Sequence, residues 1–184
     1  LCSEFDGKRV EAAEMIRDFG GSGLYPCDMV VACNVADLSR TDPFPTPFVT
    51  LSLDLETSVR HNTILCAAVV IARGNSRTEH EFRGSEKEIL EGMTRLVREE
   101  DPDFITGYNI DNFDLPRIIE RAEENAGRSK FEQAALCGWG RVPAIESESK
   151  RLSPDRATNR VWRLTGRIPM DAWWQVRQTL RPER

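Results

Sequence analysis

The chain has 184 residues, 40% of them apolar and 30% charged, enough for one domain with a sound core and an appended piece. No apolar run reaches the roughly 18 residues that a membrane span needs, and Leu1-Cys-Ser-Glu-Phe-Asp6 is neither basic nor apolar enough for a secretory signal, so the chain reads as a piece of something longer with no membrane partner. The formal net charge of −5 argues against a plain nucleic-acid coat protein, yet residues 141–184 hold ten Lys/Arg against five Asp/Glu, a basic quarter on an acidic body that suits metal binding in one place and phosphate contacts beside it.

Cysteine usage points to free thiols in a reducing compartment. There are five cysteines, an odd number, and no C-x-x-C pair. His61 and His80 lack ligand spacing, which leaves no zinc site, and both read as surface residues flanking strands.

Residues 1–47 form a lead-in. Gly7 to Phe19 carries a weak apolar stripe (Val10, Ala13, Met15, Ile16) compatible with a short helix. Met29-Val-Val-Ala-Cys33 is a short strand candidate. Asp42-Pro-Phe-Pro-Thr-Pro47 is a stiff extended connector, because each proline fixes its own φ and restricts its predecessor.

Phe48-Val-Thr-Leu-Ser-Leu-Asp-Leu-Glu-Thr57 follows as a strand with two faces. Val49, Leu51, Leu53 and Leu55 share one side; Thr50, Ser52, Asp54 and Glu56 share the other. The two carboxylates therefore point the same way, roughly 7 Å apart along the strand. Like charges side by side are costly unless a cation sits between them, and Mg²⁺ is held by one or two carboxylates plus phosphate oxygens. A half-exposed strand with a solvated acidic face is the alternative.

Thr63–Ala72 is a nearly continuous apolar run, expected of a strand buried on both faces. Gly74-Asn-Ser76 is a turn into a more exposed strand, Thr78–Phe82, which completes an antiparallel meander. Ser85-Glu-Lys-Glu88 is a capping box opening a helix to about Glu100, with Ile89, Leu90, Met93, Leu96 and Val97 on one face. Asp103–Asn109 reads as a fourth strand. Phe113-Asp114-Leu-Pro116 opens a helix whose buried stripe is Leu115, Ile118, Ile119 and Ala122. Asp114 falls in its first turn, where the helix dipole favours negative charge and simple capping is the alternative role. Residues 128–160 read as polar and irregular. Val161–Thr165 is a strand continuing through Gly166 to Met170, and a last helix runs from Asp171 to Leu180 with Trp173, Val176 and Leu180 on one side. Three antiparallel strands followed by alternating helix and strand describe a mixed α/β sheet with flanking helices.

Asp54-Leu-Glu56 and Tyr108-Asn109-x-x-x-Phe113-Asp114 resemble the first and second exonuclease motifs of family B DNA polymerases. Asp103–Asn109 and Leu115-Pro-Arg-Ile-Ile-Glu-Arg-Ala122 extend the likeness, and Gly166-Arg-Ile-Pro-Met-Asp171 resembles the family's strand-to-helix passage after the second motif. The similarity runs from about Phe48 to Arg181 and has an archaeal flavour.

The resemblance implies a ribonuclease-H-like (DnaQ-like) 3′–5′ proofreading domain over 48–184. It implies two Mg²⁺ or Mn²⁺ ions on Asp54, Glu56 and Asp114: Asp54 bridging the pair, Glu56 also orienting water, Asp114 on the second ion. Tyr108, Asn109 and Phe113 would position the terminal nucleotide. Residues 138–165 fall where the family carries a β-hairpin, so that Arg141, Lys150, Arg151, Arg156, Arg160 and Arg163 would contact phosphates and Trp139 or Trp162 would stack on bases.

The implied partners are single-stranded or frayed primer–template DNA, further polymerase domains and a sliding clamp, in a cytoplasmic, nucleoid-associated setting. The family's third motif, Tyr-x-x-x-Asp, does not follow Asp114, since the tyrosines are Tyr25 and Tyr108 alone. The fragment is therefore expected to be truncated before that motif and weak or inactive by itself. The alternatives are a non-catalytic exonuclease-fold scaffold for single strands or partner subunits, and a free-standing nuclease of the same fold.

Overall fold

The computed structural model describes residues 3–4, 8–9, 31–32, 34–40, 45–141, 145–151 and 158–179. The chain divides into two compact units, Leu1–Pro47 and Phe48–Arg184. In the first, Ser3–Glu4 pairs antiparallel with Ser39–Arg40, and Lys8–Arg9 with Val31–Ala32. Lys8 and Arg9 are thus extended where the weak stripe suggested a helix; the rest of that stretch lies outside the described residues.

The second unit is built on a five-stranded sheet. Its strands are β1 (Val49–Thr57), β2 (Ile64–Arg73), β3 (Ser76–Phe82), β4 (Phe104–Gly107) and β7 (Ile168–Asp171), in spatial order β7-β4-β1-β2-β3. The meander β1-β2-β3 is antiparallel, and β4 runs parallel to both β1 and β7. Two further strands, β5 (Ile145–Arg151) and β6 (Thr158–Leu164), form a separate antiparallel hairpin.

Strand alternation sets the core. Leu51, Leu53 and Leu55 are buried and lie opposite Ile71, Val69 and Ala67, also buried. β2 is buried on this face only: Leu65 is 57% exposed and Ala68 is exposed as well. The continuous apolar run therefore overstated its burial: an unbroken apolar sequence does not show whether a second layer covers the other face, and here Leu65 and Ala68 stay exposed.

Four helices complete the unit: α1 (Glu86–Glu100), α2 (Asp114–Ala126), α3 (Lys130–Cys137) and α4 (Ala172–Thr179). α1 opens with the reciprocal Ser85–Glu88 box and buries Ile89, Leu90, Met93, Leu96 and Val97. Glu86 then ties α1 to α2. Its carboxylate takes two hydrogen bonds from Arg121 at 2.7 Å, one from Asn125 at 2.8 Å, and one from the Ile64 amide at 2.7 Å. No helix among the described residues is long and apolar enough to cross a membrane.

Three expectations need correction. Residues 128–160 are not irregular throughout, since α3 starts at an N-cap, Ser129, whose hydroxyl accepts from the Glu132 amide. Val161–Met170 is not one strand, because a turn at Thr165-Gly166 (Gly166 φ +80°) ends β6 and sends β7 into the other sheet. His80 lies inside β3, half-buried with Nε2 unpartnered, rather than beside a strand. Cys66 and Cys137 are free thiols; the other three cysteines lie outside the described residues.

One glycine sets how closely β4 can lie against β1. A Cβ on Gly107 would meet the Leu53 carbonyl oxygen at 2.5 Å and the Ile110 side chain. Backbone cannot retreat cheaply from such a clash, so Gly107→Ala should cost about 1–3 kcal/mol. The check is a lower urea midpoint at an unchanged m-value.

Candidate functional site

Asp54 and Glu56 stand on the face of β1 opposite the leucines, and both are exposed. Asp114 is the first residue of α2 and is only 2% exposed. Phe113 holds the N-cap position and makes no side-chain cap bond. The backbone N–H groups of Asp114 itself and of Leu55 favour the ionised form of the Asp114 carboxyl, which places the start of α2 beside the acidic strand. Its Oδ1 has no partner. Burial pushes this carboxyl up to about 6, and the neighbouring Asp54 charge pushes the same way. Two of the three expected carboxylates are thus close enough to repel, with a free lone pair between α2 and β1.

The loop from β4 to α2 carries the other expected residues. Asn109 adopts the left-handed conformation (φ +64°), which Asn tolerates better than most side chains. Its carbonyl accepts from the Asn112 and Phe113 amides, and its Oδ1 accepts from Asn112 Nδ2 at 3.1 Å. Tyr108 is 63% exposed and Phe113 39%, so both rings are available for stacking.

A fourth carboxylate, Asp171, was not singled out from the sequence. It is 6% exposed and accepts from the amides of Asn109 at 2.8 Å, Asp111 at 3.2 Å and Trp173 at 2.9 Å. Burial and the Asp171 charge push Asp111 up to about 6 as well. The available signal was an Asp immediately before a helix, a standard N-cap; its reach to a loop some 60 residues away has no local signature.

The basic and aromatic residues of 138–165 are placed less uniformly than expected. Arg141 is engaged within the protein, donating to Asp101 and Asp103 and to the Gly166 carbonyl. Trp139 and Trp162 are buried, at 1% and 5% exposure, and so offer no stacking surface. Trp139 Nε1 donates to Thr94 Oγ1 at 2.9 Å, and Trp162 Nε1 to the Asp111 carbonyl at 2.8 Å. Lys150 and Arg151 occupy the last two rungs of the hairpin, opposite Asn159 and Thr158. Arg163 is exposed, and Arg156 lies outside the described residues.

As donors, Asp54, Glu56 and Asp114 offer hard carboxylate oxygens, the chemistry of Mg²⁺ or Mn²⁺ rather than of zinc. Among the described residues no three His, Cys, Asp or Glu side chains close into a ready cage. The orphaned Asp114 Oδ1 beside Asp54 is the feature that fits an ion completed by water and substrate oxygens.

A family model for the exonuclease domain of family B DNA polymerases matches residues 81–183. The chain belongs to this family. The matched segment includes Tyr108–Asp114 and Gly166–Asp171 but not Asp54 or Glu56. The bovine DNA polymerase delta catalytic subunit is 31% identical over 160 residues, 83% of this chain and 12% of that protein. A DNA polymerase of Thermococcus aggregans is 50% identical over 96 residues, 52% of this chain and 5% of that protein. The family B DNA polymerase structure from the hyperthermophilic archaeon Pyrobaculum calidifontis superimposes with a TM-score of 0.55 at 19% identity, covering 93% of this chain and 20% of that one. At that identity the likeness shows the fold, a ribonuclease-H-like mixed sheet. The chain spans about an eighth of the length of the bovine relative.

The exonuclease-domain site makes a pH signature. A carboxyl whose folded pKa is raised stabilises the fold below its unfolded value and loses that contribution as pH rises through the folded one. For Asp114 the window runs from about 4 to about 6. In metal-free protein, Asp114→Asn should therefore gain on the order of 1–3 kcal/mol relative to wild type at pH 8 and little at pH 4. Urea titrations at the two pH values measure the difference.

Proposed function

We propose that this domain proofreads for a DNA-directed DNA polymerase by hydrolysing the 3′-terminal phosphodiester of a primer. The observation that carries the reading is Asp114, a buried carboxylate with an unpartnered oxygen, held against the acidic face of β1 beside Asp54. Asp54, Glu56 and Asp114 would hold two divalent ions, which when bound supply activation of water and neutralisation of charge at the leaving oxygen. Glu56, exposed on the strand, orients the attacking water. Asn109, Tyr108 and Phe113 hold the terminal nucleotide by hydrogen bonding and stacking, contacts that tolerate any base. Lys150 and Arg151 contact phosphates, whereas Arg141 secures the hairpin base through Asp101 and Asp103.

The rest of the gene product supplies synthesis, with further polymerase domains and a sliding clamp as partners and a cytoplasmic, nucleoid-associated setting. The isolated chain is weak or inactive, because the family's third motif is not among its residues. The scaffold reading draws on one observation, that no three potential ligands converge among the described residues.

Degradation of 3′-labelled single-stranded DNA with Mg²⁺ by the intact gene product separates these readings. Asp54→Ala/Glu56→Ala should lower the rate by about a hundredfold or more while primer extension persists. No degradation by either protein would leave the scaffold. Charge reversal at Lys150 and Arg151 should weaken single-strand binding and reduce the salt slope by about 1.4, at ~0.7 per phosphate contact. Fluorescence anisotropy across a salt series reads it.

A further inference from the structure

We propose that Asp171 is a positioning residue for this site, its buried carboxylate acting with the Trp162 indole to fix the loop Tyr108–Phe113 from both sides. The inference rests on the nuclease reading above and extends it to two residues which that reading does not use.

The geometry goes beyond helix capping. Capping α4 requires only the bond from the Trp173 amide at 2.9 Å. The other two N–H groups, Asn109 at 2.8 Å and Asp111 at 3.2 Å, come from the loop that carries the nucleotide-facing side chains. The register explains how they meet: Asp171 lies opposite Gly107 on the last rung between β7 and β4, so its carboxylate sits where the β4 chain leaves the sheet. One oxygen accepts from Asn109 and Trp173, the other from Asp111. Three converging donors demand a group that accepts at both ends. An amide in this place would turn an NH₂ toward a backbone N–H.

Trp162 holds the same loop from β6, where its Nε1–H donates to the Asp111 carbonyl at 2.8 Å. Both polar groups of the Asp111 peptide neighbourhood, N–H and C=O, are thereby fixed by side chains from other elements. Asp111 is flanked by the left-handed Asn109 on one side and by the residues leading into Asp114 on the other. Releasing either contact lets Asn109 relax toward ordinary φ and carries Tyr108 and the start of α2 with it. A displacement of about 1 Å at such a site can cost a hundredfold in rate.

The test uses the intact gene product with Asp171→Asn, Asp171→Ala and Trp162→Phe, and Asp54→Ala as control. Steady-state degradation of 3′-labelled single-stranded DNA with Mg²⁺ gives kcat and KM. Amide hydrogen exchange of metal-free protein reads Asn109 and Asp111 directly. Positioning predicts that Asp171→Ala lowers kcat by about tenfold to a hundredfold, raises KM, and removes protection at Asn109 and Asp111 while β1 and β2 keep theirs. Asp171→Asn should recover part of the rate, since one acceptor survives, and Trp162→Phe should raise KM severalfold.

A capping role alone predicts reduced stability with kcat, KM and loop protection unchanged, and that result overturns the proposal. If Asp171→Ala does not fold, Asp171→Asn and Trp162→Phe decide it: wild-type kcat and KM in both overturn it. If Asp54→Ala degrades DNA as fast as wild type, the nuclease reading fails and positioning for that chemistry fails with it. The exchange data then show separately whether the loop is clamped.

Discussion

A buried carboxylate with one oxygen unpartnered, beside a second carboxylate, is the constraint around which this domain is arranged. Asp114 gains nothing in stability from its place at neutral pH, since burial and the Asp54 charge both oppose its ionisation. It stays there because both of its supports are rigid. On one side is β1, paired with β2 and β4 and pressed to β4 at Gly107. On the other is α2, whose Leu115, Ile118 and Ala122 are fully buried and whose Arg121 is bound to Glu86 on α1. The core thus holds in position a repulsion that a cation would relieve. An electrostatically unfavourable apo site backed by close packing is what preorganisation for a charged ligand requires.

The basic C-terminal quarter serves the fold as much as any ligand. Arg167 is 8% exposed and donates to the carbonyls of Trp139 and Pro102 at 2.6 Å and to Asp101 at 2.7 Å. Burial opposes its charge and Asp101 supports it. Arg141 reaches the same Asp101 from the loop after α3. These two arginines join the end of α1, the start of β4 and the turn between β6 and β7 into one hydrogen-bonded block. Net charge along a sequence therefore overcounts the cations free to meet phosphate, because it does not show which of them are paired inside.

The parts legible in the sequence are those governed by short-range periodicity. The alternation from Val49 to Glu56 placed Asp54 and Glu56 on a common face, and the Ser85–Glu88 box fixed the start of α1 to the residue. Asp114 was legible as a first-turn residue, but its burial was not, since that depends on α2 docking against Leu55. The mixed sheet followed from element order, yet the break at Gly166 was missed because Val161–Met170 keeps a strand-like composition across a turn. Trp139 and Trp162 looked like stacking surfaces in a polar stretch. Their indole N–H groups instead find Thr94 and the Asp111 carbonyl, partners 45 and 51 residues distant. What remained hidden, Asp171 above all, depends on contacts between segments far apart in the chain.

The exposed face of β1 poses a problem for a polyanionic substrate. Asp54 and Glu56 face outward, and the rings of Tyr108 and Phe113 are exposed in the loop that leads to Asp114. Stacking on those rings brings a phosphate toward carboxylates, where like charges oppose it. On the nuclease reading, divalent ions held by Asp54, Glu56 and Asp114 would offset that opposition. Ion and single strand must then favour each other's binding, by the reciprocity that governs any two linked ligands. On the same reading the aromatic contacts would supply an attraction indifferent to base identity, and the carboxylates would make it conditional on the ions. A nuclease domain so arranged would engage a strand end strongly only when the means of cleaving it were also in place.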